Sequence, residues 1–310
     1  MPDECGPRLM LGTVQLGMPY GVANTHGQPD YRSAVEVLAA ALEGGIRSFD
    51  TAAAYGHSEE VLGRALCELG AQDEVFIATK VRHLAGHERA DTKRATRAIE
   101  QSVDASRRRL GLDCIPCVIF HNPHDAIHAD ALAALCERGW VEQIGFSLLQ
   151  SPTGPLEVDP RYTVLQTPGN LLDQWPYDPA IVTSLTRPGL SVFLRSVYLQ
   201  GVLVMPMESV PPYLGPLLPV RQRLTAIAAA AGMSEVELAL RYALGLDIAT
   251  SVLIGVDTAK QLRENIRLAA KGALASDIQT TVRRAAAGVS EQIRSPATWP
   301  ALAQAFSRKK

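Results

Sequence analysis

Eight short apolar runs, with helical patterns between most pairs of them, constrain what this 310-residue chain can fold into. The runs are Leu9–Gly12, Ile46–Asp50, Val75–Lys80, Ile115–Phe120, Gln143–Ser147, Tyr162–Gln166, Ser191–Arg195 and Ser251–Gly255. Strand-length runs alternating with helix-length segments predict parallel strands joined by crossover helices. Eight such units favour closure into a barrel over an open sheet. The expected fold is an α/β protein, a (β/α)8 TIM barrel over about residues 8–271. An extra C-terminal helix and tail are expected over about 272–310, with 1–310 forming one domain.

The helical patterns are specific. Between Arg32 and Glu43, Val35, Leu38 and Leu42 recur at three- and four-residue spacing. Between Thr92 and Leu110 the stripe is Ala95, Ile99, Val103, Ser106 and Leu110. Both predict helices seated on a sheet. Ser58 and Ser234 read as N-caps followed by acids, and Gly232 as the end of the preceding helix. Met205 to Pro219 carries five prolines and predicts a long ordered loop rather than a helix. Ser295-Pro296-Ala297-Thr298-Trp299-Pro300 predicts an irregular turn.

Composition excludes several classes. A hydrophobic content of 47% supplies a large core, and no apolar run approaches the roughly 18 residues of a membrane span. A formal charge of −2 gives no electrostatic footprint for nucleic acid or an anionic membrane. Arg107-Arg108-Arg109 reads as the solvated end of a helix. Met1 to Cys5 carries acids and no apolar core, so no signal peptide is expected. Five cysteines, at 5, 67, 114, 117 and 136, do not suggest a disulfide framework. Cys114 and Cys117 fall in a strand-like run, where they would point to opposite faces, and no second pair offers zinc ligands. The expectation is a reduced, cytoplasmic protein with no metal.

Four chemically active residues stand at or just past strand-like runs: Asp50, Tyr55, Lys80 and His121. A barrel gathers strand ends at one mouth. A phenol beside an ammonium is a proton donor suited to carbonyl reduction. Its ordinary pKa, near 10, is expected to fall beside Lys80. Asp50 would keep Lys80 charged and oriented, and His121 would orient the substrate oxygen. No side chain donates hydride, so a nicotinamide must. Two other readings stay open. Lys80 can form a Schiff base, as in a barrel lyase or aldolase. The chain can also hold a nicotinamide without catalysis.

In their order, Asp50, Tyr55, Lys80 and His121 resemble the catalytic tetrad of the aldo-keto reductases. Leu11-Gly12-Thr13-Val14-Gln15-Leu16-Gly17 is similar to that family's first strand, and Gly56 to Gly63 to the start of its second helix. Ile144-Gly145-Phe146-Ser147 and Gln166-Thr167-Pro168-Gly169-Asn170 resemble its nicotinamide-side segments. Ile254-Gly255 with Gln261-Leu262-Arg263-Glu264-Asn265 resembles its adenosine-side segment. The likeness runs over roughly residues 8 to 271 and is nearest to bacterial members that open Gly-Thr-Val-Gln-Leu-Gly.

The resemblance implies NAD(P)H-dependent reduction of an aldehyde or ketone, reversibly, with Tyr55 as general acid and base and a small carbonyl compound as partner. It implies cofactor contacts from Thr13, Asp50, Ser147, Gln166, Arg195, Ser196, Tyr198, Gly201, Gly255, Asp257, Gln261 and Asn265. Ser147 and Gln166 resemble the pair that binds the nicotinamide carboxamide, with Leu148 where Asn is common. Arg195 stands where an aromatic usually stacks. Asp257 stands where Arg or Lys often grips the 2′-phosphate, so the implied cofactor is NADP(H) with NAD(H) usable. Lys260 and Arg263 are near enough to compensate, unless Asp257 only caps the next helix. Trp175, Tyr198 and Trp299 are candidate apolar walls.

Overall fold

In the computed structural model, which describes residues 9–308, eight parallel strands close into a barrel in sequence order. Cys5 and the acidic N-terminus lie outside the described residues. The strands are β1 (Leu9–Gly12), β2 (Ser48–Asp50), β3 (Phe76–Val81), β4 (Ile115–Phe120), β5 (Val141–Ser147), β6 (Val164–Pro168), β7 (Ser191–Arg195) and β8 (Ser251–Gly255). Closure is made by β8 returning to β1, with Leu9 opposite Val252 and Gly12 opposite Gly255. Four strands match the sequence expectation residue for residue. β2 is shorter because the Ile46 amide closes the preceding helix on Ala41. β6 begins later because Tyr162 is held in a turn by Asp159.

Side chains alternate across each strand, and that alternation builds the site. Met10, Ala78, Cys117, Ile119, Val164, Phe193 and Leu253 form an apolar plug inside the barrel. Two residues further along the same strands stand Gly12, Lys80, His121, Gln166, Arg195 and Gly255. Asp50 and Ser147 reach that level on β2 and β5. The layer above the plug is therefore polar, and it faces the C-terminal mouth. The other strand face packs on the helices in a larger apolar core.

Several local expectations are corrected. The helix Tyr31–Glu43 buries Ala34, Val37, Leu38, Ala40 and Ala41, while Val35 and Leu42 are only partly buried. Ser58 is not a cap. It is the first residue of the helix Ser58–Glu68, fully buried, and its hydroxyl bonds the Thr13 carbonyl and the Thr13 and Thr51 hydroxyls. Ser234 does cap its helix, accepting from Glu237. The proline-rich stretch forms short 3-10 turns, Met207–Ser209 and Pro212–Leu217. Its last proline, Pro219, opens the helix Leu218–Ala230, where a missing N–H costs nothing. Cys114 precedes β4, and Cys117 belongs to the plug. Beyond the barrel lie the helices Ser276–Ala286, Glu291–Arg294 and Trp299–Ser307, with a 3-10 turn, Pro296–Thr298, between the last two. Among the described residues no helix is long and apolar enough to cross a membrane.

The arginine run is not a uniformly solvated end. Arg108 is largely exposed, but Arg107 lies over the Trp140 ring at 4.5 Å and Arg109 reaches Glu59 at 2.6 Å. Glu59 is 1% exposed and also accepts from the Thr79 hydroxyl at 2.5 Å. Removing one partner of such a pair leaves a buried charge uncompensated. Arg109→Ala should therefore destabilise the barrel by about 3 kcal/mol. Urea denaturation checks this; a loss under about 0.5 kcal/mol, the size of an ordinary surface substitution, would show that Thr79 alone satisfies Glu59.

Candidate active site

At the mouth, Lys80 is 1% exposed and donates to three oxygens: Asp50 Oδ1 at 2.8 Å, Asp50 Oδ2 at 2.7 Å and the Thr51 carbonyl at 2.8 Å. All three ammonium hydrogens are engaged. Burial opposes its charge, but the Asp50 carboxylate and the Tyr55 phenol outweigh that, and the Lys80 pKa is raised. Asp50 also accepts from Gln166 Nε2 at 2.7 Å, and Gln166 Oε1 accepts from Ser147 Oγ at 3.2 Å. The Thr13 hydroxyl donates to the Asp50 carbonyl at 2.9 Å, and Thr13 also lines the cleft described below.

Tyr55 sits in the turn after β2, its amide on the Ala52 carbonyl. Lys80 Nζ lies 4.9 Å from the phenol ring centroid. The His121 ring meets that phenol edge-on at 5.6 Å. The structure thus brings Asp50, Tyr55, Lys80 and His121 together. One expectation is reversed: burial raises the Tyr55 pKa, and the opposing charge of Lys80 does not overcome it. His121 is driven the other way. Burial first, then Lys80, His83 and Arg195, lower its pKa to about 3. Its Nδ1 is buried without a partner. His83, which the sequence did not single out, stacks on it at 4.6 Å.

Asp50, Tyr55 and His121 line a cleft of about 740 Å³ that continues from the mouth past β7 and β8 toward residues 257–265. Ser147, Gln166, Arg195, Ser196, Tyr198, Gly201, Gly255, Asp257, Gln261 and Asn265 all line it. Tyr198 donates to Asn265 Oδ1 at 2.8 Å. Thr258, not Asp257, caps the helix Ala259–Ala269, and the Gln261 side chain completes that cap. Asp257 is left to face the cleft, accepting from Asn24 Nδ2 at 3.3 Å. Arg263 is turned outward to Glu43, whereas Lys260 lines the cleft. Trp175 and Trp299 are core residues, donating to the Pro168 and Ile293 carbonyls. Only Tyr198 of the three candidate walls lines the cleft.

The segment after β7 is strained. Ser196, Leu199 and Gln200 have φ of 65°, 48° and 55°. Gly201 follows at +83°, and a Cβ there would stand 2.3 Å from Ala23 Cβ. Such backbone clusters at ligand-binding segments. Tyr20, Asn24 and Gln15 also line the cleft, and no sequence pattern announced the first two. Gln15 lies inside the Gly-Thr-Val-Gln-Leu-Gly motif, with its Oε1 buried and unpartnered.

The family model described as "Aldo/keto reductase family" matches residues 8–153. The aldo-keto reductase YhdN of Bacillus subtilis is 34% identical over 177 residues, covering 54% of this chain and 51% of that protein. The chain thus spans about half the length of that curated relative. The L-glyceraldehyde 3-phosphate reductase of Escherichia coli is 26% identical over 306 residues, covering 85% and 86% of the two chains. Among solved structures, the holo form of an aldo-keto reductase from Bacillus halodurans superposes with a TM-score of 0.72 at 24% identity, covering 93% and 95% of the two chains. Over residues 8–153 this chain is thus similar to the aldo-keto reductases.

The neutral His121 generates a pH prediction. In the unfolded chain an imidazole titrates near pH 6.5. Between about 6.5 and 3 the unfolded chain binds a proton that the folded one excludes, so stability falls as pH drops through that window. By pH 5 the loss is on the order of 1–2 kcal/mol. His121→Asn should remove that part of the loss. Urea midpoints for both proteins at pH 7 and 5 check it; parallel losses would overturn the assignment.

Proposed function

We propose that this chain is a nicotinamide-dependent carbonyl reductase in which Tyr55 protonates the substrate oxygen. One observation carries the reading: a fully engaged Lys80–Asp50 pair lies under the Tyr55 phenol, with a neutral imidazole beside it, at the mouth of a long cleft. A dinucleotide fits what surrounds that mouth. The glycine at 255 leaves space that a Cβ would fill against Gln15, and the orphaned Gln15 oxygen lies alongside. When bound, a reduced nicotinamide supplies the hydride to the carbonyl carbon.

The residues divide the remaining work. Burial keeps the Tyr55 phenol protonated until it is needed. As negative charge develops on the substrate oxygen, the phenol O–H donates its proton, and the Lys80 ammonium stabilises the phenolate left behind. His121 hydrogen-bonds the same oxygen and orients it. Ser147 and Gln166 hold the nicotinamide carboxamide; Ser196, Tyr198, Gly201, Gly255, Gln261 and Asn265 line the path for the rest of the dinucleotide. The Schiff-base reading is disfavoured because Lys80 has no free lone pair and no free hydrogen. The intact proton-donor set disfavours a purely binding role.

Tyr55→Phe should lower turnover of a test aldehyde by roughly 10²–10⁴ while leaving the dissociation constant of the dinucleotide within about twofold. Near wild-type turnover in the variant sinks the assignment. The adenosine end gives a second test. Asp257 faces the cleft and Arg263 is turned away, so the expected preference for NADP(H) is weak and NAD(H) is used as well. Lys260 is the cation left to offset the carboxylate. Asp257→Arg should tighten NADP(H) by about tenfold or more and weaken NAD(H). Dissociation constants for both cofactors decide it; an unchanged ratio would show that Asp257 does not meet the ribose.

A further inference from the structure

Arg195 ends β7 at the mouth, and among the described residues its guanidinium has only uncharged partners. It donates to Ser196 Oγ at 3.0 Å and to the carbonyls of Leu148 at 2.6 Å and Leu149 at 3.2 Å. It forms no ion pair among the described residues. Lys80, the other cation at the mouth, is matched by Asp50. Beside the reacting groups, among the described residues, Lys80 is thus neutralised and Arg195 is not, while Lys260 lines the cleft near Asp257.

The unneutralised charge bears on the reacting groups. Arg195 lines the same cleft as Tyr55, His121, Ser147 and Gln166. Its charge opposes a proton on both Tyr55 and His121. A nicotinamide that reduces a carbonyl held by Tyr55 must bring its ring beside these two side chains, because reacting atoms approach to about 3–3.5 Å. The ring then lies in the field of Arg195. Once hydride has passed to the carbonyl carbon and the Tyr55 proton to its oxygen, the ring carries a positive charge. Before transfer it is neutral.

We propose that Arg195 makes this cleft select the reduced dinucleotide over the oxidised one, biasing the enzyme toward carbonyl reduction and release of oxidised cofactor. The inference rests on the nicotinamide reading above. The pyrophosphate and riboses are common to both redox forms, so their attraction to Arg195 cancels in the ratio of the two dissociation constants. The ratio isolates the ring charge.

The experiment measures dissociation constants of oxidised and reduced NADP and NAD by fluorescence titration, on wild type, Arg195→Gln and Arg195→Lys. Circular dichroism checks the fold of each variant. Wild type should bind the reduced form at least about tenfold more tightly. Arg195→Gln should narrow that ratio by about tenfold, mainly through tighter binding of the oxidised form, and Arg195→Lys should keep it. A wild type that binds the oxidised form as tightly overturns the proposal without any variant. So does a folded Arg195→Gln protein with the wild-type ratio, or a Lys variant that loses the ratio as fully as Gln does. If wild type binds neither form of either dinucleotide, the nicotinamide reading falls and this inference with it, a result distinct from binding at an unaltered ratio.

Discussion

A lysine ammonium buried at the top of the barrel must find three acceptors or lose its charge, and the mouth is built around that demand. Moving such a group from water costs several kcal/mol unless it is paired and hydrogen-bonded. Lys80 meets the demand with both oxygens of Asp50 and the Thr51 carbonyl. The parallel register of β2 and β3 makes this automatic: Asp50 lies opposite Ala78, so Lys80 stands one side-chain step above it. Asp50 is then tied across the barrel by Gln166 of β6, and Gln166 by Ser147 of β5. Thr13, just past β1, fixes the Asp50 carbonyl. One polar chain joins five strand ends, so closing the barrel and aligning the site are the same physical event.

The electrostatics of the mouth follow from which charges are matched. Lys80 is neutralised locally and Arg195 is not. Burial first, and then the charges of Lys80, His83 and Arg195, lower the His121 pKa. Tyr55 experiences Lys80 and Arg195 as well, yet burial dominates and the phenol keeps its proton. The two groups are thereby driven in opposite senses, a neutral imidazole beside a protonated phenol. That pairing suits orientation and proton donation to one oxygen on the proposed reading. The expectation that Lys80 alone lowers the phenol's pKa misjudged the balance because desolvation at a barrel mouth cannot be seen in sequence spacing.

Strand-length runs alternating with helical patterns made the barrel legible, and Asp50, Tyr55, Lys80 and His121 at or just past those runs made its polar mouth legible. Strand ends defined by an internal pattern, such as Ile115–Phe120, matched residue for residue. What failed depended on partners distant in sequence. Ser58 read as a cap, but its hydroxyl is consumed by Thr13, 45 residues away. Arg109 read as solvated, but Glu59 claims it from 50 residues away. Trp175 and Trp299 read as walls, yet each indole N–H found a backbone carbonyl in the core. Arg263 and Lys260 were indistinguishable in sequence; the rotation of one helix sends the first to Glu43 and the second to the cleft.

The segment that leaves β7 concentrates what spacing could not reveal. Three non-glycine residues there adopt positive φ, each costing on the order of 1–3 kcal/mol. The cost is sustained by ties at both ends. Leu199 bonds back to the Ser196 carbonyl, and Ala23 donates to the Gln200 carbonyl from the far side of the cleft. Gly201 permits the close approach to Ala23 that a side chain would forbid. Arg195 sits at the base of this segment, bonded forward to Ser196 and sideways to the carbonyls that follow β5. Because those partners are neutral, they fix the guanidinium's position without cancelling its charge. A carboxylate in their place would hold the side chain as well and erase its field. The backbone strain and the unpaired arginine are thus one construction: a rigid segment that keeps a full positive charge aimed at the place where, on the proposed reading, the ring charge changes during the reaction.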